Sequence, residues 1–133
     1  MEVDIYYNLH KSCWSIRARE GEHKGRVICH AQGAEVAWLE FVVQEAGRAR
    51  VVKEGRKNVH AFVRGTLVSL DQPEFRHPVE DEFPRFDSVT ERIETKQVSY
   101  NPYKHGSFYE TETGEPIVEA TYATLTSDRK VYV

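Results

Sequence analysis

Apolar and polar residues trade places at every second position along much of this chain. Val3, Ile5 and Tyr7 alternate with Asp4, Tyr6 and Asn8, and Trp14, Ile16 and Ala18 alternate with Ser15, Arg17 and Arg19. A period of two puts one set on one face of a pleated strand and the other set on the opposite face. The pattern predicts strands over 3–8, 13–19, 26–31, 58–70, 96–100, 107–110, 117–126 and 129–133, separated by polar turns such as EGEHKG at 20–25. The run AEVAWLEFVV at 34–43 is apolar on both faces, and its β-branched and aromatic residues favour a central strand over a buried helix.

One segment breaks the alternation towards a helix. In 44–57, Glu45 suits the positive end of a helix dipole, Val51 and Val52 give a modest apolar side, and Gly55 reads as a C-terminal stop. Gly47 is the flaw in that helix, because glycine costs it backbone entropy. Gly65, inside the following strand, marks a bulge or a bend. Residues 71–95 carry Pro73, Pro78 and Pro84 and have no clean periodicity, so they predict a long loop with a short helix around 87–94. The elements add up to a β-rich α+β domain: a strongly bent antiparallel sheet or small barrel with one flanking helix. The length of 133 residues fits a single domain, 1–133, able to bury roughly two-thirds of its unfolded surface.

Composition narrows the function classes. No apolar run approaches the roughly 20 residues that a membrane-spanning helix requires, and the acidic opening MEVDIYYNLHK is not a secretory signal. The expected location is cytoplasmic. Cys13 and Cys29 form neither a CxxC pair nor a disulfide framework, and both read as reduced, half-buried thiols. No phosphate-binding glycine loop, G-x-S-x-G or H-E-x-x-H occurs. The six histidines are dispersed, so neither a metal site nor a cofactor is expected. His23 and His77 lie in polar loop sequence and read as solvated.

The net charge of −3 hides an uneven spread. Residues 44–64 hold six cations against two acids, and residues 71–95 hold eight acids against three arginines. Arg48, Arg56 and Lys57, on the helix and the turn after it, are placed to reach phosphates or carboxylates. Asn58 can read an amide or a base edge, and Tyr100 and Tyr103, flanking Asn101, offer faces for stacking. The plain alternative is a solvated helix face whose cations pair with the acidic 71–95 loop, which would then mask the basic groove or imitate nucleic acid. His10, His60 and His105 each stand beside a cation. A pair of imidazoles and a lysine can cleave a phosphodiester without metal, one ring taking the 2′-hydroxyl proton and the other protonating the leaving oxygen.

The phrases IYYNLHK (5–11), GRKNVHAFVRG (55–65) and SYNPYKHGSF (99–108) together resemble a group of small phage and prophage accessory proteins. The resemblance implies a viral or prophage origin and action in the host cytoplasm. It points to Asn8, His10, Lys11, Arg56, Lys57, Asn58, His60, Asn101 and Tyr103 as positions in the shared phrases. The leading expectation is a non-enzymatic binder of a host protein, a nucleoprotein complex, nucleic acid or a nucleotide, with counter-defence of the anti-CRISPR type among its uses. The alternative is a metal-independent ribonuclease using His10, Lys57 and His60. A third reading is a structural subunit that works by oligomerisation.

Overall fold

The computed structural model describes residues 1–55, 57–86, 96–104 and 108–133. Four strands open the chain: β1 (Glu2–Asn8), β2 (Cys13–Ala18), β3 (Val27–Ala31) and β4 (Gly33–Val43). The helix α1 (Glu45–Glu54) and strand β5 (Ala61–Asp71) follow. The rest comprises β6 (Glu74–Phe75), β7 (Gln97–Tyr100), β8 (Phe108–Glu110), β9 (Glu119–Leu125) and β10 (Val131–Tyr132). They form one ten-stranded sheet in the order β6-β3-β2-β1-β5-β4-β9-β10-β7-β8. Every paired strand runs antiparallel to its neighbours. Among the described residues the order is open at both ends, so the β-rich α+β class holds and closure into a barrel is not seen.

Register carries the sequence alternation into a core. Val3 sits opposite Ala18, Ile5 opposite Ile16 and Tyr7 opposite Trp14, while Ile5 faces Val63 on the other side. In an antiparallel ladder, directly opposed residues share a face. The apolar sets of β1, β2 and β5 therefore merge, and Phe41, Leu67, Val98, Phe108, Leu125 and Val131 join the same buried cluster. Full burial of a side chain such as Ile5 or Ile16 contributes about 1.5–3 kcal/mol. The sheet curls to close this core: Trp14 Nε1 donates to the Thr126 carbonyl at 2.8 Å, and the Phe41 and Phe108 rings lie 4.9 Å apart.

The opposite face is polar but not empty. Asp4, 4% exposed, accepts from Arg64 Nε at 2.8 Å and from Arg17 Nη2 at 3.3 Å, with Arg19 at 3.8 Å. Arg17 also lies over the Phe62 ring, which makes a T-shaped pair with Tyr6. These contacts bury Phe62 outside the main core.

Several expectations shift. The strand expected over 58–70 begins at Ala61, because Asn58 ties the lead-in to the helix: its amide donates to the Gly47 carbonyl at 3.3 Å. The segment 71–86 is no free loop. It adds β6 to the exposed edge of β3, pairing Phe75 with Cys29 and Glu74 with His30, and returns to bridge Leu70 with Arg85. An unpaired edge leaves backbone groups without partners, and this segment satisfies them. The helix expected around 87–94 lies outside the described residues. His23 and His77 are not simply solvated; their rings stack 4.6 Å apart. The bulge suggested by Gly65 is carried by the facing strand, where Trp38 and Leu39 together oppose Gly65.

Candidate ligand-binding cleft

The helix ends as its sequence requires. Gly55 adopts a left-handed conformation, and its N–H closes on the Val51 carbonyl. No residue of α1 is buried. The helix meets the lead-in to β5 closely at Gly47, where an added Cβ would lie 2.8 Å from His60 Cβ and 3.2 Å from Asn58 Oδ1. The glycine that weakens the helix is therefore the one that lets the lead-in to β5 pass beneath it.

His60 sits at this crossing, 7% exposed. Its Nδ1 faces two acceptors, the Asn58 carbonyl at 3.0 Å and Asn58 Oδ1 at 3.2 Å, so Nδ1 carries the hydrogen. Its Nε2 then accepts from the Tyr100 hydroxyl at 2.5 Å. The contact spans from the lead-in to β5 across to β7 and continues as a row of rings, with Tyr100 4.7 Å from Phe108 and Phe108 against Phe41.

Beside this row lies an open cleft of about 940 Å³. Its walls include Asn8, His10, Lys57, Asn58, His60 and Tyr100, so one concavity gathers residues from three of the shared phrases. Tyr6, Tyr7 and Trp14 add aromatic surface, and Arg129 and Lys130 add cations. No aspartate or glutamate is among its described lining residues.

Other candidates lie elsewhere. Lys11 is outside the lining, and its backbone N–H donates to Asn8 Oδ1 at 3.0 Å, closing the β1–β2 turn. Arg48 pairs with Glu45 on its own helix at 3.2 Å. Asn101 is a turn residue whose Oδ1 accepts the Tyr103 N–H at 2.9 Å, and Tyr103 projects into solvent at 67% exposure. Arg56 and His105 lie outside the described residues. Tyr100, not Tyr103, supplies the ring at the cleft.

Arg129 and Lys130 went unremarked in the sequence because RKVYV reads as a plain strand. They belong to the turn between β9 and β10, closed by Thr126 N–H to the Lys130 carbonyl at 2.9 Å. Arg129 has φ 65, in a turn position where glycine is usual, and its guanidinium lies 5.1 Å from the Tyr7 ring centre. An arginine in that position was the available signal.

The two cysteines are free and buried. Burial pushes the Cys29 thiol up to about 12 and raises that of Cys13 against the opposing pull of Lys11, so both favour the thiol over the thiolate. A second polar row crosses β1–β3: Asn8 Nδ2 donates to Ser15 Oγ at 3.3 Å, and Ser15 Oγ meets His30 Nδ1 at 3.0 Å. Burial, then Lys11 and Arg76, hold the His30 imidazole below its ordinary value against the opposing pull of Glu74. Among the described residues, no cluster of three or more His, Cys, Asp or Glu is placed to hold a metal ion, and no helix is long and apolar enough to cross a membrane.

The family described as Mycobacterium phage L5 gene 82 protein matches residues 1–133. The chain belongs to this phage protein family. It is 33% identical over 126 residues to the Gene 82 protein of Mycobacterium phage L5, covering 90% of this chain and 86% of that one. No solved structure matches. The phage origin implied by the three phrases is thus shown, and membership of the gene 82 family extends over the strands that carry the cleft.

Proposed function

We propose that this phage protein binds a phosphate-bearing nucleotide unit, free or within a single strand of nucleic acid, in the cleft beside His60. One observation carries the reading: His10, Lys57, Arg129 and Lys130 line the cleft together with aromatic rings and with no described carboxylate. Lys130 is shared with Asp128 at 3.8 Å, which leaves Lys57 and Arg129 as the cations with no described acid in the lining; they attract an anion, and the rings beside them accept a base. The volume of about 940 Å³ is at the upper end of small-ligand sites, which run to roughly 1,000 Å³. A host nucleoprotein complex is the partner class in which such a cleft would serve a phage accessory protein, and counter-defence is one use of that contact.

The ribonuclease alternative has one point in favour: His10, Lys57 and His60 share the cleft. Against it, both ring nitrogens of His60 are engaged, with Asn58 and with Tyr100. A ring held on both sides is poorly placed to take a 2′-hydroxyl proton, and its role is to fix the cleft wall.

The test is anisotropy of a fluorescein-labelled single-stranded 12-mer, as RNA and as DNA, with ATP as competitor. Affinity should fall steeply with salt, and Lys57→Ala should lower the slope of log K against log salt by about 1. Salt-insensitive binding, or no saturable binding of strand or ATP, overturns the reading. The strand should be recovered intact from EDTA buffer; its cleavage there, lost on His60→Ala, would restore the ribonuclease.

A further inference from the structure

A second surface carries charge of the opposite sign. Trp38 is 76% exposed, whereas the other tryptophan, Trp14, is buried and bonded. Trp38 sits at the β4 bulge with φ 51, a region that a bulky side chain rarely adopts. Bulges re-aim side chains, and local strain of this kind is retained where surrounding structure enforces it. Gly65 on β5 makes room for it: an added Cβ would come within 2.8 Å of the Ala37 carbonyl and of Val36 Cγ1. Beyond the bulge, Leu39 and Phe41 point into the core, so Trp38 and Glu40 share the outer face.

Across the ladder, Glu119 directly opposes Glu40. Like charges so placed repel. Neither makes a direct ion pair among the described residues; Arg64, opposite Glu40 on the other side, is bound by Asp4 and feels the Glu40 charge only at longer range, and Glu119 has no such neighbour in the described ladder. Val118 is exposed next to Glu119, and none of these residues lines the cleft.

We infer that the β4–β9 face around Trp38 is a docking surface for a protein segment presenting an arginine or lysine next to an apolar side chain. The facing glutamates supply the charge that complements such a cation. The exposed indole offers a ring face to it and an anchor to the apolar neighbour.

Trp38 reports on this directly, because its emission is that of a solvent-exposed indole over a buried Trp14. The probes are the hexapeptides Arg-Leu-Arg-Leu-Arg-Leu and Glu-Leu-Glu-Leu-Glu-Leu. The basic peptide should move the emission to shorter wavelength in a saturable titration weakened by salt, and the acidic peptide should not. The double variant Glu40→Gln, Glu119→Gln removes a repulsion and so should fold, and it should bind the basic peptide at least fivefold more weakly. An equal response to both peptides, no response to the basic one, or unchanged affinity in the double variant overturns the inference. A blue shift that appears on concentrating the protein alone, with dimers in sedimentation, also overturns it and assigns the face to a second copy.

Discussion

The cleft and the Trp38 face are made from the same materials and differ in sign. Each sets aromatic rings beside charge, and each depends on a glycine where a neighbouring chain passes too close for a Cβ. At the cleft, Gly47 lets α1 lie over His60, and the surrounding charges are cations. At the bulge, Gly65 accommodates Trp38 and Leu39 opposite it, and the nearby charges are the glutamates 40 and 119, with Arg64 opposite Glu40 bound by Asp4. The difference lies in what the glycine protects. Gly65 faces a backbone carbonyl inside the sheet, whereas Gly47 faces side chains under a helix that buries nothing of its own. Damage at the first site should therefore be global, and damage at the second local.

Gly65→Ala breaks the comparison hardest. Its Cβ would meet the Ala37 carbonyl, Val36 and Leu39 within 3.0 Å, and a ladder cannot yield without shifting register. A loss of about 3 kcal/mol in urea unfolding is expected, at the upper end for overpacking. An unchanged midpoint would mean that the bulge is soft. Gly47→Ala should do less, because two effects oppose. Alanine favours the helix by about 1 kcal/mol, while crowding His60 Cβ at 2.8 Å costs about 2 kcal/mol. The expected net is a loss of about 1 kcal/mol with a weakened His60–Tyr100 contact; a net gain would show that helix and lead-in separate freely.

These two glycines also show what the sequence could and could not reveal. The strand set was legible because a period of two survives in the chain, and register then follows from which face is apolar: Val3, Ile5 and Tyr7 found Ala18, Ile16 and Trp14. The helix stop at Gly55 was legible because a left-handed cap favours glycine. Gly47 and Gly65 were visible as irregularities, but their reasons are contacts with residues 13 and 28 positions away, His60 and Ala37, and nothing in the local pattern marks those two as the neighbours. His10, Lys57, Asn58, His60 and Tyr100 were legible as candidate residues through their charge and ring types, but their sharing one cleft was not. Lys11, Arg48, Asn101 and Tyr103 have the same chemistry but serve turns, the helix surface or solvent, and only geometry separates them. Arg129 and Trp14 reach the cleft because the sheet curls, a long-range property that no local pattern encodes.

The smallest change sharpens the contrast most. Tyr100→Phe keeps the ring against Phe108 and removes the hydroxyl that donates to His60 Nε2. Because His60 lines an open cleft, water can replace that hydroxyl, so the loss should be about 0.5–1 kcal/mol, the low end for a buried bond left unmade. Asn58 still holds Nδ1 from the other side, so the ring should keep its Nδ1–H tautomer, readable from the imidazole nitrogen shifts in NMR. Oligonucleotide affinity should then change less than in Lys57→Ala, since the cations and rings of the cleft remain, and Trp38 emission should not move at all. A larger stability loss, with the tautomer lost as well, would show that the Tyr100 hydroxyl and not Asn58 orients His60. The cleft wall would then be held from β7, and the local character assigned to this region by comparison with the bulge would be wrong.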